Sequence, residues 1–482
     1  MKSAKRKLGR MVNRLSAPAA RFYAFVAFFV IAFFMGGGSR DDIQSLLVLR
    51  PLAIIFCAYA LTVKARGQWN GRMFPLYIAS ALAALMLLQL IPLPPGIWTL
   101  LPERHIFADI ADIAGIEQPW RPLSLSPSKT LNSLFSLSVP IAAIMLYLNL
   151  EGDYRKRVVP VLIILFVMSA IWAIFQVIGP PRGPLYLYRI TNFGMGVGLF
   201  ANRNHQAVML AASIAMLGWY AGSLRSYNKQ AALKFSASIA VIFVFVPLIF
   251  ITGSRAGLLL MIPALILALF LIYFGGYLPE KGSKNGLSAT QQNGFLSGRR
   301  VIVAIGIAAI SGMTISSLLL SRSLAFDRLF SGDGLEDMRL QILPTLFTML
   351  RDYMPWGSGF GSFEHVYKIY EPQELLRPTY LNQAHNDWLQ YPIEGGAPAL
   401  IIAVFALVGL VRRVWVGFKC RFSSSAAKYR VLMCLGVILF LLAASIGDYP
   451  LRVPSIMAVF VVLICVLDDG IYSLRRHDLR SR

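Results

Sequence analysis

The chain has 482 residues, of which 57% are hydrophobic and only 14% are charged, and its formal net charge is +23. This composition excludes an ordinary soluble domain and is typical of a membrane protein with many spans. The four cysteines fall in predicted spans or on the predicted inner side, and the sequence has no C-x-x-C pair. We therefore predict neither a disulfide framework nor a metal site of that kind.

The apolar segments predict an all-α, polytopic membrane protein with about 12 spans, forming a single integral membrane domain over residues 1–482. A spanning helix needs about 20 largely apolar residues. The first and the last three segments are short, so counts of eleven or thirteen stay open. The predicted spans are 20–36, 45–63, 74–95, 131–150, 158–179, 205–224, 235–252, 256–277, 301–320, 396–411, 431–447 and 453–468.

The charges alternate along the chain in step with these spans. With the N-terminus inside, the inner segments hold 30 of the 46 Lys and Arg residues and the outer segments hold 15. The acidic residues divide the other way, with 6 inside and 17 outside. This is the positive-inside pattern, and it predicts that both termini are cytoplasmic. The basic charge therefore sets the orientation, and we predict no nucleic-acid binding.

Two outer loops besides the longest one carry turn residues, and the longest inner loop, 282–300, is a predicted flexible linker. The longest outer loop is a polar stretch from Ser321 to Gly395. Within it, apolar residues recur every three or four positions from Leu335 to Asp352, which predicts a helix. Asp333 can cap this helix and Pro344 should kink it. It could lie on the membrane surface or over a cavity, or pack on the protein itself.

The loop continues with a glycine-rich segment, GSGFG at 357–361. The segment lacks the Lys-Ser/Thr of a phosphate-binding P-loop, so it predicts a tight turn that permits close backbone approach.

Three arginines are candidates for binding a phosphate. Arg255 lies between two spans at the outer surface, and its planar fork of donors suits two phosphate oxygens. Arg339 lies on the loop helix, where a solvated helix face is the plainer interpretation. Arg50 lies about 9 Å into a span, at 1.5 Å per residue, which predicts either a buried partner or a side chain that extends to the surface.

His385 is the strongest candidate for a general base, because its ordinary pKa lets it accept a proton at neutral pH. It is followed by Asn386 and Asp387 at the outer mouth of a span, with Glu394 nearby. A hydrogen-bonded interfacial histidine is the alternative. Two further pairs of outer residues are candidates for substrate binding: Asn204 with His205, and Asp448 with Arg452, although the second pair could simply clamp its own turn.

All these candidates face the outer side, with Arg50 close to it. This favours a phosphate-bearing substrate on the side that has no ATP or nucleotide sugar. A lipid diphosphate sugar is the natural activated donor there. Arginines would offset the charge of the leaving diphosphate, and a neutral histidine would deprotonate the attacking hydroxyl. In-line attack of this kind would invert the anomeric configuration.

The chain resembles the O-antigen ligase superfamily of bacterial inner-membrane proteins, which also contains O-antigen polymerases. The resemblance rests on four features in order: GLFANRNH at 198–205, TGSRAG at 252–257, the Arg339 helix leading to GSGFGSF at 357–363, and HNDWLQ at 385–390 with EGG at 394–396. These features define a ligase-like core over 198–396, including the periplasmic loop 321–395.

The resemblance implies twelve spans, an inner-membrane location and transfer of a glycan from undecaprenyl diphosphate at the periplasmic face. It implies that the two essential arginines fall on Arg255 and Arg339, and the essential histidine on His385. The acceptor would be lipid A–core or a growing polysaccharide, with membrane lipids as surroundings. The resemblance implies no metal, no ATP and no other cofactor.

Three alternatives stay open. A polymerase would use the same motifs and the same donor, and DYPLR at 448–452 is similar to members associated with exopolysaccharide assembly. A polysaccharide or lipid transporter is the alternative without catalysis, although no half-to-half similarity is evident. A metal-dependent glycosyltransferase would use Asp41 and Asp42 in the first outer loop.

Overall fold

The computed structural model describes residues 15–64, 68–224, 229–274, 334–376, 378, 380–419 and 425–480. This part of the chain is mostly helical, and within it a single antiparallel pair joins Pro92–Leu93 to Arg121–Pro122. The predicted all-α class is confirmed. The predicted linker 282–300, the predicted span 301–320 and the predicted cap Asp333 lie outside the described residues.

The described helices vary from single turns to a segment of 33 residues that is kinked at Gly396. In chain order they are α1 (Pro18–Met35), α2 (Leu46–Thr62), α3 (Phe74–Gln89), α4 (Pro95–Trp98), α5 (His105–Ile113), α6 (Pro127–Ser136), α7 (Ser138–Leu148), α8 (Gly152–Arg155), α9 (Val158–Ile178), α10 (Arg203–Ser223), α11 (Lys229–Thr252), α12 (Arg255–Phe274), α13 (Gly334–Gln341), α14 (Leu343–Tyr353), α15 (Phe363–Tyr370), α16 (Asp387–Lys419), α17 (Ser425–Ala444) and α18 (Pro454–Arg480), with 3-10 turns at Gln373–Leu375 and Pro450–Arg452.

Within the described residues, eight helical segments are long and apolar enough to cross a membrane, and α2 and α3 are shorter apolar helices. The predicted spans in this part of the chain lie mostly on helix, the fourth of them on α6 and α7 in direct succession. The helix of the third, α3, ends at Gln89 rather than at 95, and the helix of the sixth, α10, is not among the eight membrane-length apolar segments. The polytopic membrane architecture is therefore confirmed, and the full count of twelve stays a prediction.

The described residues form two compact units. The first consists of the described parts of Met1–Tyr154, Asp333–Arg413 and Leu442–Cys465. The second unit consists of the described parts of Arg155–Gly332, Val414–Leu441 and Val466–Arg482.

The core of the second unit is α10, which is buried along almost its whole length against α12. Asn202 caps α10 by accepting a hydrogen bond from the Asn204 backbone N–H at 2.8 Å. Gly218 and Gly222 lie against the backbone of α12, where a side chain would have no space. Small residues allow this close approach of the two helix backbones, which increases the number of dispersion contacts between them.

In the first unit, the predicted loop helix is divided into α13 and α14, with the break at Ile342 and Pro344 in the first turn of α14. The predicted kink at the proline is confirmed. One apolar face of α14 is buried within the unit, so this helix packs on the protein itself. The buried cluster comprises Ile342, Leu346, Met349, Tyr353, Phe363, Val366, Tyr367, Ala384 and Ile393.

The glycine-rich turn packs directly on a break in α16. Gly396 interrupts that helix with φ 63° and ψ −160°. Ser358 donates its backbone N–H to the Ile393 carbonyl, and Gly359 donates to the Glu394 carbonyl, both at 2.9 Å. Gly357 has φ 81°, and a Cβ atom there would lie 2.5 Å from the Glu394 carbonyl oxygen. The predicted close backbone approach is confirmed, and it fixes the position of Glu394.

We expect Gly357→Ala to destabilise the protein by about 1–3 kcal/mol, because alanine strains a left-handed backbone and has no space for its methyl group. The matched control is Gly96→Ala, since that glycine is exposed and has open space around it. Thermal unfolding of the detergent-solubilised protein measures both. Equal midpoints for the two variants would contradict the packing role of Gly357.

Candidate functional site

The centre of the candidate site in the first unit is an ion cluster around Arg452. Arg452 Nε lies 2.8 Å from Asp387 Oδ1, and Nη1 and Nη2 lie 3.2 and 3.3 Å from Glu394 Oε2. The Glu394 side chain is completely buried. One guanidinium therefore binds two carboxylates from the start of α16 and joins them to the turn that precedes α18.

Burial disfavours the charged form of Arg452, but Glu394 and Asp387 outweigh it, and the pKa of Arg452 lies above its ordinary value. Arg452 is therefore cationic at every accessible pH. The sequence left open that Arg452 pairs with Asp448 and clamps its own turn. The guanidinium instead binds Asp387 and Glu394, which lie about sixty positions earlier in the chain. Local spacing in the sequence does not reveal these partners.

His385 precedes α16 and faces the same turn. Its Nδ1 atom lies 3.4 Å from Asp448 Oδ1, and its ring contacts the Tyr449 ring edge-on with centroids 4.8 Å apart. The His385 side chain keeps 18% of its surface exposed, whereas Asp448 is buried. A carboxylate beside Nδ1 favours the tautomer with its proton there and leaves Nε2 as the proton acceptor.

The backbone around His385 is tightly held. His385 has φ 51°, a left-handed conformation that is uncommon for a residue with a side chain. Asn386 Oδ1 accepts the Leu389 N–H at 3.1 Å and so caps α16, and the Asp387 N–H donates to the Ser445 carbonyl at 2.9 Å. These bonds fix the imidazole against the turn that carries Asp448.

Arg339 reaches the same turn from α13, since its Nη1 donates to the Gly447 carbonyl at 2.8 Å. Tyr449, which belongs to the same turn, bonds to the Asn382 side chain. Burial, with a further contribution from Asp448, raises the pKa of Tyr449 above its ordinary value. The phenol therefore keeps its proton at neutral pH and can donate a hydrogen bond.

Arg50 has side-chain partners within the first unit. Its Nη1 donates to Asn132 Oδ1 at 2.6 Å, and its Nη2 donates to Ser136 Oγ at 2.8 Å. Both partners lie on α6. These bonds supply Arg50 with the partners that the sequence predicted as one of its two alternatives.

Asp41 and Asp42 are each paired with a cation. The Asp42 carboxylate accepts from Arg40 at 3.0 and 3.2 Å, and Asp41 is bonded to Lys129. Among the residues that the structure describes, no group of three or more His, Cys, Asp or Glu side chains is arranged to hold a metal ion. These pairings indicate a structural role for the two aspartates.

The remaining candidates belong to the second unit. Arg255 is the first residue of α12, directly after a turn in which Thr252 Oγ1 accepts the Ser254 N–H and Ser254 Oγ accepts the Gly257 N–H. His205 is buried in the first turn of α10, next to Asn204. Both residues therefore lie at the start of a helix.

The first unit thus brings together six of the predicted residues, namely His385, Asp387, Glu394, Asp448, Arg452 and Arg339. Tyr449 was not predicted, because no sequence pattern marks it beyond its place inside DYPLR. Lys129 was not predicted either, because it is a single cation at the start of an apolar segment and belongs to no motif.

Residues 240–404 match a family model described as O-antigen ligase. This segment is therefore similar to the O-antigen ligase family. The matched segment includes Arg255, Arg339, His385 and Glu394, so it contains most of the site described above. A comparison with curated proteins finds no match to this chain. The resemblance inferred from the motifs is confirmed at the level of this family, whose glycan-transferring membrane proteins include both ligases and polymerases.

We expect Arg452→Met to lower the free energy of unfolding by about 3–5 kcal/mol, because the buried Glu394 carboxylate and the partly buried Asp387 carboxylate lose their counter-charge. Adding Glu394→Gln to this variant should recover part of the loss, because it removes one of the two unpaired charges. Chemical denaturation in detergent measures the series.

The matched control is Arg351→Met, which breaks an exposed pair with Asp352 and should cost less than about 1 kcal/mol. If Arg452→Met costs no more than this control, the buried cluster does not hold the site together.

Proposed function

We propose that this protein is an O-antigen ligase-like glycosyltransferase of the bacterial inner membrane. It moves a glycan from undecaprenyl diphosphate to an acceptor hydroxyl at the periplasmic face, without metal or ATP. The acceptor is lipid A–core or another polysaccharide. The observation that carries the proposal is the position of the His385 imidazole beside the buried Asp448. His385 itself lies in the segment that matches the ligase family.

In the proposed reaction, His385 Nε2 accepts the proton of the acceptor hydroxyl while that oxygen attacks the anomeric carbon of the donor. A bond forms between the oxygen and the anomeric carbon, and the bond from that carbon to the diphosphate oxygen breaks. Undecaprenyl diphosphate leaves with the electron pair. Attack from the face opposite the leaving group inverts the configuration. Asp448 stabilises the imidazolium that forms on His385.

Arg255 and Arg339 are the proposed ligands of the diphosphate, and this part of the proposal rests on the resemblance. Each offers a planar fork of donors, which matches two phosphate oxygens better than an ammonium group does. Their charge offsets the negative charge that grows on the leaving group. Asn204, His205 and Asn386 are further proposed substrate-binding residues, and this part of the proposal also rests on the resemblance.

An O-antigen or exopolysaccharide polymerase is the second candidate. The polymerase would use the same donor and the same base, with the end of a growing chain as acceptor. The DYPLR turn favours it, because the turn is similar to that of members associated with exopolysaccharide assembly, and its Asp448 lies beside His385. Transport of the lipid-linked glycan is the candidate without catalysis.

We expect His385→Ala to reduce transfer by about 10²–10⁴-fold, since the variant lacks its general base. Purified protein in proteoliposomes, with undecaprenyl-diphosphate glycan and lipid A–core supplied, measures the rate. The matched control is His365→Ala, an exposed histidine of the same loop, which should keep full activity. Full activity in the His385 variant would contradict the assignment of His385 as general base. If the wild-type protein moves the lipid-linked glycan across the membrane but transfers no glycan, transport is favoured instead.

Deletion of the gene in the native host distinguishes the two enzymes. Lipopolysaccharide and lipid-linked glycan are separated on gels. For a ligase, we expect polymer to accumulate on undecaprenyl diphosphate while lipid A–core stays bare. Loss of long chains, with single repeats still present on the carrier or attached to core, would instead show a polymerase.

A further inference from the structure

The first unit contains a cavity of about 180 Å³ that the mechanism above does not use. Its wall is formed by the start of α6, the segments around Arg40 and Phe360, and residues 380–383. Arg452 also lines it, so the cavity adjoins the ion cluster of the candidate site. Its volume suits a small group such as one sugar ring.

The cations in the wall of this cavity are already neutralised. Lys129 is bonded to Asp41 and lies 3.4 Å from Glu364 Oε2. Arg40 Nε lies 3.0 Å from Asp42 Oδ1. Arg452 is bound by its two carboxylates. A diphosphate entering the cavity would have to displace several of these ion pairs, and each paired carboxylate would repel it. The wall therefore suits an uncharged ligand.

The same wall is rich in groups that bind hydroxyls. Asn132, Asn382 and Gln383 supply amides, which both donate and accept hydrogen bonds, and Ser133 supplies a hydroxyl. Apolar side chains complete the lining, namely those of Met86, Leu137 and Phe360, which pack together. A pyranose ring has the matching chemistry, with hydroxyls around its edge and C–H groups on its faces. Binding sites for small molecules commonly combine apolar walls with a few placed polar groups.

The cavity also connects to the candidate base. Asn382 bonds to Tyr449, and the Tyr449 ring contacts the His385 ring. Gln383 lies two residues before His385 and accepts a hydrogen bond from Gln390 at 2.6 Å. A ligand in the cavity would therefore touch the groups that position the imidazole.

We propose that this cavity binds an uncharged sugar ring of the acceptor glycan and so presents a hydroxyl to His385. The inference deepens the proposed function and depends on it for the identity of the acceptor. The same chemistry would also fit the first sugar of the donor, and the experiment separates these two sources.

Two variants test the cavity. Ser133→Leu fills it, and Glu364→Gln makes its wall more positive with little change of shape. The matched control for the first is Ser128→Leu, because Ser128 is exposed on the same helix, α6, and lies outside the cavity wall. The control for the second is Glu374→Gln, an exposed residue in the same polar loop as Glu364.

In the proteoliposome assay, we expect Ser133→Leu to raise the KM for the acceptor by roughly ten-fold, with kcat and the donor KM little changed. We expect Glu364→Gln to leave the donor KM unchanged, because the ligand of the cavity carries no charge. The two controls should keep the wild-type constants. A raised donor KM with an unchanged acceptor KM would assign the cavity to the donor sugar instead. A lower donor KM in Glu364→Gln would indicate that the cavity holds the diphosphate, which overturns the proposal. Unchanged constants in Ser133→Leu would overturn it too.

A binding measurement that needs no activity separates failure of this inference from failure of the proposed function. Saturation-transfer NMR on the purified protein uses the methyl glycosides of glucose, galactose, mannose and N-acetylglucosamine as probes, with inorganic pyrophosphate as competitor. We expect a signal from at least one glycoside that Ser133→Leu abolishes, that Ser128→Leu keeps and that pyrophosphate does not displace. No signal from any glycoside, or an equal signal in the filled variant, would refute the sugar site.

Discussion

The buried ion cluster of Arg452 with Glu394 and Asp387 is the interaction on which the rest of the candidate site depends. Taking these charges out of water is costly, and only close pairing with several hydrogen bonds offsets the cost. The cluster joins the start of α16 to the turn before α18. His385 and Asp448 lie on the two segments that it joins, so their separation of 3.4 Å follows from it.

The position of Glu394 has its own cause in the backbone. The break at Gly396 and the left-handed Gly357 let two segments approach until their backbones exchange hydrogen bonds. Gln89 adds a side-chain bond to the Glu394 carbonyl at 3.0 Å. The apolar cluster under α14 then holds this arrangement from the polar loop. Rigid support of this kind keeps a reacting group in place without reorganisation during the reaction.

Charge pairing separates two kinds of surface within the first unit. Around the cavity, Lys129, Arg40 and Arg452 are balanced by nearby carboxylates, which leaves a wall suited to hydroxyls. The Arg339 guanidinium instead donates a hydrogen bond to the neutral carbonyl of Gly447. A carbonyl compensates a positive charge less than a carboxylate does, so this arginine retains more attraction for an anion. The division agrees with separate places for a sugar and a diphosphate.

The sequence by itself determined the membrane class, the helix positions and the family, because apolar length, charge alternation and ordered motifs are properties of the chain alone. It also predicted the break at Pro344 and the turn at Gly357, since both follow from local backbone preference. Tertiary structure alone decided that Arg452 binds Glu394, that Asp448 faces His385, and that Arg50 has partners on α6. These pairs join residues far apart in the chain, and no local pattern encodes which buried charge meets which partner.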